Sequence, residues 1–153
     1  MTALTVLAPV SGTVVDVSDV DDPVFSAGLV GPGLAIEPDG VQGTEAVAPI
    51  TGTIVKLHPH AFVVQHDDGR AVLVHLGIDT VKLGGEGFTT HASEGDVVQR
   101  GTVLVSWDPA AVREGGRSAV CPVVALEAKP DDVDSLALVG TTITHGEDLL
   151  TWG

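Results

Sequence analysis

The sequence predicts an all-β fold: an antiparallel β-sandwich or barrel with an internal pseudo-repeat and very little helix. Three observations predict it. Val, Ile, Leu and Thr gather in short apolar runs, 19 glycines and 9 prolines punctuate those runs, and one segment occurs twice. β-Branched residues suit a pleated surface, and Gly and Pro mark turns between short strands. The recurring segment is Ala8-Pro9-Val10-Ser11-Gly12-Thr13-Val14-Val15-Asp16-Val17. It returns 40 residues later as Ala48-Pro49-Ile50-Thr51-Gly52-Thr53-Ile54-Val55-Lys56-Leu57. Each copy reads as an extended segment, a glycine turn and a strand. Two copies do not make a solenoid, which needs three or more. They fit a pseudo-symmetric sandwich in which both copies share one core.

In chain order, Leu4-Thr5-Val6-Leu7 reads as a short opening strand, followed by the two repeat strands. The runs His60-Ala61-Phe62-Val63-Val64 and Ala71-Val72-Leu73-Val74-His75 flank His66-Asp67-Asp68-Gly69-Arg70, a tight-turn sequence, and so predict a hairpin. Glu94 to Leu104 reads as a turn–strand unit with glycines, Gly95 and Gly101, at both bends. The best helix candidate is Asp108 to Glu114, one to two turns long, with Asp108 as N-cap and Pro109 at the first helical position. Ala119 to Val124 is an apolar, strand-like run around Cys121. No linker, charge block or low-complexity stretch divides the chain, so residues 1–153 are expected to form one domain.

Composition excludes several classes. Hydrophobic content of 44% excludes a disordered chain. There is no basic segment leading an apolar leader, and no apolar run approaches the roughly 18 residues of a membrane span. A soluble, cytoplasmic protein is expected. The lone Cys121 rules out an intramolecular disulfide and a multi-cysteine zinc site, and its apolar neighbours predict a buried, inert thiol. A net charge of −14 argues against nucleic acid or an anionic membrane as partner. It serves solubility, and it would steer a basic protein toward the chain.

The candidate chemistry lies in the histidines, at positions 58, 60, 66, 75, 91 and 145. His66 falls in the predicted turn and His145 near the C-terminus, both read as exposed; His91 reads as loop. His60 and His75 differ, because they stand fifteen residues apart across the hairpin. A loop of Asp67-Asp68 sets them opposite each other, and a loop of Asp68-Gly69 makes them diagonal neighbours. Both registers keep them on one face. A three-residue loop with a bulge at Gly69 breaks that parity. Two imidazoles on one strand face suit two jobs. They can bind a metal, or handle phosphate, with one neutral nitrogen as nucleophile and the other ring donating a hydrogen bond. Asp79, four residues after His75, borders the same site or caps a turn. Gly84-Gly85-Glu86-Gly87-Phe88 is glycine-dense but lacks the lysine and spacing of a P-loop.

Two stretches carry a family resemblance: His60-Ala61-Phe62, and Val74-His75-Leu76-Gly77-Ile78-Asp79-Thr80-Val81-Lys82-Leu83-Gly84-Gly85-Glu86-Gly87-Phe88. Asp22-Pro23-Val24-Phe25 followed by Val30-Gly31-Pro32-Gly33 adds to it. On these residues the chain resembles the glucose-family enzyme IIA of the bacterial phosphoenolpyruvate-dependent sugar phosphotransferase system, as a free-standing domain. The resemblance implies a duplicated-hybrid-motif sandwich. It implies that His75 carries a phosphoryl group, received from the phosphocarrier HPr and passed to a cysteine of a sugar-specific IIB domain. His60 would hydrogen-bond and orient the phosphate. Val24, Phe25, Val30, Leu73 and Val81 match the family's apolar docking rim, and Asp22 and Asp79 its acidic rim. No cofactor is required, though His60 and His75 could take up zinc adventitiously or in a regulatory complex. When unphosphorylated, the protein could also bind permeases or metabolic enzymes. His58 departs from the polar residue common at its position and is a possible third imidazole of the site.

Two other classes compete. A LytM-type zinc peptidase uses a His-x-x-x-Asp and a His-x-His element, and this chain has His75-x-x-x-Asp79 and His58-Pro59-His60, in reversed order. A lipoyl- or biotinyl-type carrier needs a lysine at a hairpin tip beside methionine, and the only methionine is Met1.

Overall fold

The repeat organises the molecule. The computed structural model describes residues 2–40 and 44–153. In order these form β1 (Leu4–Leu7), β2 (Gly12–Asp16), the one-turn helix α1 (Pro23–Ser26), β3 (Gly33–Pro38), β4 (Glu45–Val47), β5 (Gly52–His58), β6 (Ala61–Gln65) and β7 (Ala71–His75). The chain continues with β8 (Phe88–Thr90), β9 (Val97–Val98), β10 (Val103–Trp107), helix α2 (Pro109–Glu114), β11 (Cys121–Ala125), β12 (Val133–Ser135), β13 (Thr142–Ile143) and β14 (Asp148–Trp152). One long sheet has the order β13-β2-β3-β11-β7-β6-β5-β9. Two three-stranded sheets, β1-β14-β12 and β4-β10-β8, complete the architecture. Every pairing is antiparallel. Among the described residues no pairing joins β13 to β9, so the long sheet is open rather than closed into a barrel.

The two copies of the repeat clasp each other. The Leu7 N–H donates to the Pro49 carbonyl at 2.9 Å, and the Val47 N–H donates to the Pro9 carbonyl at 2.9 Å. The hydroxyls of Ser11 and Thr51, equivalent positions, accept from the N–H groups of His145 (3.0 Å) and Arg100 (3.1 Å). Gly140 donates to the Val14 carbonyl and Gly95 to the Ile54 carbonyl, each at 2.7 Å. These matched bonds expose a second repeat: Gly95 to Gly101 corresponds to Gly140 to Gly146. The repeat glycines are forced by close approach. A Cβ at Gly12 would lie 2.0 Å from the Glu37 carbonyl oxygen, and one at Gly52 would lie 2.1 Å from that of Gln65.

Alternation along the strands divides the side chains between two cores. Phe62, Val64, Val72, Val74, Ile36 and Val123 point from the long sheet into the main core. There they meet Val6, Ala46, Leu104 and Leu150 of the short sheets. The intervening positions face outward, where Ala35 and Val124 join Val20, Phe25, Ile78 and Val120 in a smaller cluster. Helix α1 contributes Phe25 to this second cluster.

Helix α2 starts as expected, with the Asp108 carboxylate accepting from the N–H groups of Ala110 (3.0 Å) and Ala111 (3.2 Å). Helix α1 was not foreseen, although it has the same Asp-Pro start: Asp22 accepts from the Val24 N–H at 2.9 Å and Pro23 opens the turn. Cys121 is fully buried, and burial pushes its thiol pKa up. Among the described residues no helix is long and apolar enough to cross a membrane.

Candidate functional site

The hairpin that carries the site takes the third of the registers open to the sequence. His75 pairs with Ala61, and Gln65 with Ala71. Neither two-residue loop is used. His66 N–H donates to the Arg70 carbonyl at 2.8 Å, leaving Asp67-Asp68-Gly69 as a three-residue loop, and Gly69 takes φ +96°. The tip is anchored by Asp68, whose carboxylate accepts from the Arg70 N–H (3.0 Å) and from its guanidinium (2.6 and 2.9 Å). Arg70 in turn is buried against the Thr2 and Trp152 carbonyls. These bonds shift the ladder by one residue. His60 is therefore not the ladder partner of His75.

The two rings meet nevertheless. The neighbouring β5–β6 hairpin pairs His58 with Ala61, with Pro59 and His60 as its two-residue turn. His58, Ala61 and His75 thus form one row across three strands. The centroids of His60 and His75 lie 5.2 Å apart at an interplanar angle of 68°. His58 stacks on the other side of His60 at 5.7 Å and 19°. Phe25 packs against His75 at 5.4 Å.

One hydrogen bond sets the chemistry of His75. Its Nδ1 pairs with the Gly77 carbonyl. A carbonyl only accepts, so Nδ1 holds the proton and Nε2 keeps its lone pair. Gly77 can turn its carbonyl back because it sits at φ +79°, and the turn is fixed by Ile78 N–H on the Ser118 carbonyl (2.9 Å) and Thr80 hydroxyl on the Leu76 carbonyl (2.8 Å). Burial lowers the His75 pKa, opposed by the Gly77 bond and by the carboxylates of Asp22 and Asp79. Burial, and then the proximity of His75 and His58, lower that of His60 to about 4. Both imidazoles are neutral near neutral pH, and His75 presents a bare nitrogen.

The expected rim is distributed unevenly. Val24 and Val81 are exposed, at 43% and 59%. Val30 and Leu73 are half-buried and pack on the outer cluster. Phe25, at 6% exposure, is a wall beside His75, because α1 turns it into that cluster. Asp22 is half-buried at the N-cap of α1. Asp79 is exposed, at φ +60°, heading the short 3-10 turn Thr80–Leu83 with no side-chain capping bond. His66 and His145 are half-buried, not exposed: His66 lies against Asp67 and Asp68 at 2.9 and 3.1 Å. His91 is exposed and bonds the Ser106 hydroxyl at 2.7 Å.

Sequence reasoning missed Ala61 and the Gly77 carbonyl. The glycine between His75 and Asp79 was the available signal for the second. Among the described residues no group of three or more His, Cys, Asp or Glu side chains is arranged to hold a metal ion. The two elements His58-Pro59-His60 and His75-x-x-x-Asp79 do not converge on one ligand set, so the zinc-peptidase alternative lacks its centre. Zinc at His60 and His75 would find two protein ligands, short of the three of a catalytic site.

Known proteins similar to this chain fall in one family. Residues 4–130 match the family model described as phosphoenolpyruvate-dependent sugar phosphotransferase system, EIIA 1. The chain is 39% identical over 146 residues to the PTS system glucose-specific EIIA component of Bacillus anthracis, covering 93% of this chain and 85% of that protein. It is 42% identical over 136 residues to the component of the same name from Halalkalibacterium halodurans, covering 87% and 73%. The solved glucose permease IIA from Mycoplasma capricolum superposes with a TM-score of 0.89 at 30% identity, covering 99% of this chain and 96% of that one. The chain belongs to the EIIA 1 family of the phosphoenolpyruvate-dependent sugar phosphotransferase system.

Proposed function

We propose that this protein is a phosphocarrier of a sugar phosphotransferase system, with His75 as the residue that holds the phosphoryl group. The donor is phospho-HPr and the acceptor is a cysteine of a sugar-specific IIB domain. The observation that carries this reading is the hydrogen bond from His75 Nδ1 to the Gly77 carbonyl, which leaves Nε2 free and basic. In the first transfer, the Nε2 lone pair attacks phosphorus, the bond from phosphorus to the HPr histidine breaks, and its electron pair returns to that ring. The Nδ1 proton stays in place, so the phosphorylated ring gains positive charge. The Gly77 carbonyl and the carboxylates of Asp22 and Asp79 offset that charge. In the second transfer a thiolate attacks phosphorus and His75 regains its lone pair. Little covalent work falls to the protein, and rate comes from positioning and electrostatics.

His60 is assigned the phosphate contact. Its ring lies 5.2 Å from that of His75 and is neutral in the free protein, so it has one N–H to donate to a phosphate oxygen. Asp22, Asp79, Val24 and Val81, with Phe25, Val30 and Leu73 behind them, form the docking rim for a basic partner.

The test is incubation with phosphoenolpyruvate, enzyme I and HPr, read by intact mass. Wild-type protein should gain one acid-labile, base-stable phosphoryl group, and His75→Ala none. His60→Ala should accept the group and pass it on poorly. A wild-type protein that gains no phosphoryl group would refute the proposal.

A further inference from the structure

His60 is held in an unusual way for a residue given a directional role. Among the described residues no hydrogen bond reaches its ring; its contacts are ring to ring. It sits in a two-residue turn, with Pro59 fixing the backbone before it and its own carbonyl accepting from the Leu76 N–H at 2.7 Å. Neither restrains rotation of the imidazole. The ring of His75 meets it at 5.2 Å and 68°. His58 lies near-parallel to it at 19° and 5.7 Å, an offset-stacked arrangement. His58 stands at the end of β5, paired with Ala61, so the strand ladder fixes its position. The exposed His58 ring has no other ring or hydrogen-bond partner among the described residues, and its apolar face is spent on His60.

We infer that His58 is a positioning residue for phosphoryl transfer: its ring face clamps His60 so that the His60 edge stays directed at the phosphoryl group on His75. The contribution is the flat ring, not the ring nitrogens. This rests on the roles assigned above to His75 and His60.

The experiment compares wild type, His58→Ala, His58→Phe and His60→Ala, all full-length and charged by enzyme I and HPr. Single-turnover transfer to the IIB cysteine is followed over a range of IIB concentrations. His58→Ala should lower the maximal transfer rate about threefold to tenfold, the range that one such ring pair supports. The IIB concentration at half-maximal rate should not change, because the docking rim is untouched. His58→Phe keeps a flat ring and should stay within about twofold of wild type. A His58→Ala protein as fast as wild type would overturn the inference, and so would a His58→Phe protein as slow as His58→Ala, which would assign the effect to a nitrogen. His60→Ala separates the two levels. If it transfers normally, the role of His60 itself is wrong. If it is slow while His58→Ala is normal, only the clamp is wrong.

Discussion

Replacing Gly77 with alanine tests how the fold sets the state of His75. Gly77 sits at φ +79°, and a Cβ there would lie 2.7 Å from Thr80 Cγ2 and 3.0 Å from the Ser118 carbonyl oxygen. Neither neighbour gives way cheaply. Thr80 is fully buried with its hydroxyl on the Leu76 carbonyl, and the Ser118 carbonyl already accepts from Ile78. A left-handed alanine costs about 1–2 kcal/mol, and forced crowding adds about 1–3 kcal/mol. The sum, about 2–5 kcal/mol, is a large share of the roughly 5–15 kcal/mol that holds a typical domain together. Urea unfolding of Gly77→Ala should show a lower midpoint with an unchanged slope. The nitrogen shifts of the His75 ring should show its Nδ1-protonated form giving way to a mixture, as the displaced turn withdraws its carbonyl. A loss below about 1 kcal/mol with the ring still fixed would refute the account of the turn.

The His60 pKa is depressed from 6.5 to about 4 in the folded state, so its contribution to stability is fully present above about 6.5 and declines as pH falls toward 4. An NMR titration should find His60 neutral at pH 5.5, and a normal midpoint near 6.5 would contradict the placing of a half-buried His60 ring against His75 and His58. Gly52→Ala and Gly12→Ala should each fail to yield a folded protein, because the added Cβ would meet a neighbouring strand's carbonyl oxygen at 2.1 and 2.0 Å; a soluble, cooperatively unfolding variant of either would show that the clasp of repeats is not rigid.

Much of this architecture was legible in the sequence because the signals were local. Gly12 and Gly52, each ending an Ala-Pro step, marked the duplication, and Asp108-Pro109 marked helix α2. The second repeat, from Gly95 and from Gly140, escaped because Thr141, Thr142 and Thr144 share little with Asp96, Val97 and Gln99. Their matching hydrogen bonds to Val14 and Ile54, and to Ser11 and Thr51, reveal the match. The hairpin register was undetermined for a tertiary reason. Asp67-Asp68-Gly69 allows two loop lengths, and the longer is tied down by Arg70 reaching Thr2 and Trp152, far away in the chain. The proximity of His60 and His75 was right, but the reason was not. They meet because His60 closes the turn beside Ala61, the residue that pairs with His75, not because they face each other in the ladder.

Phosphoryl transfer through His75 turns on one nitrogen. Protein labelled with 15N in its histidines, charged by phosphoenolpyruvate, enzyme I and HPr, can be read by phosphorus–nitrogen coupling. The geometry predicts a single phosphoryl group bonded to Nε2 of His75, with Nδ1 still protonated against Gly77. Phosphate on Nδ1 of that ring, or on His58 or His60, would contradict it.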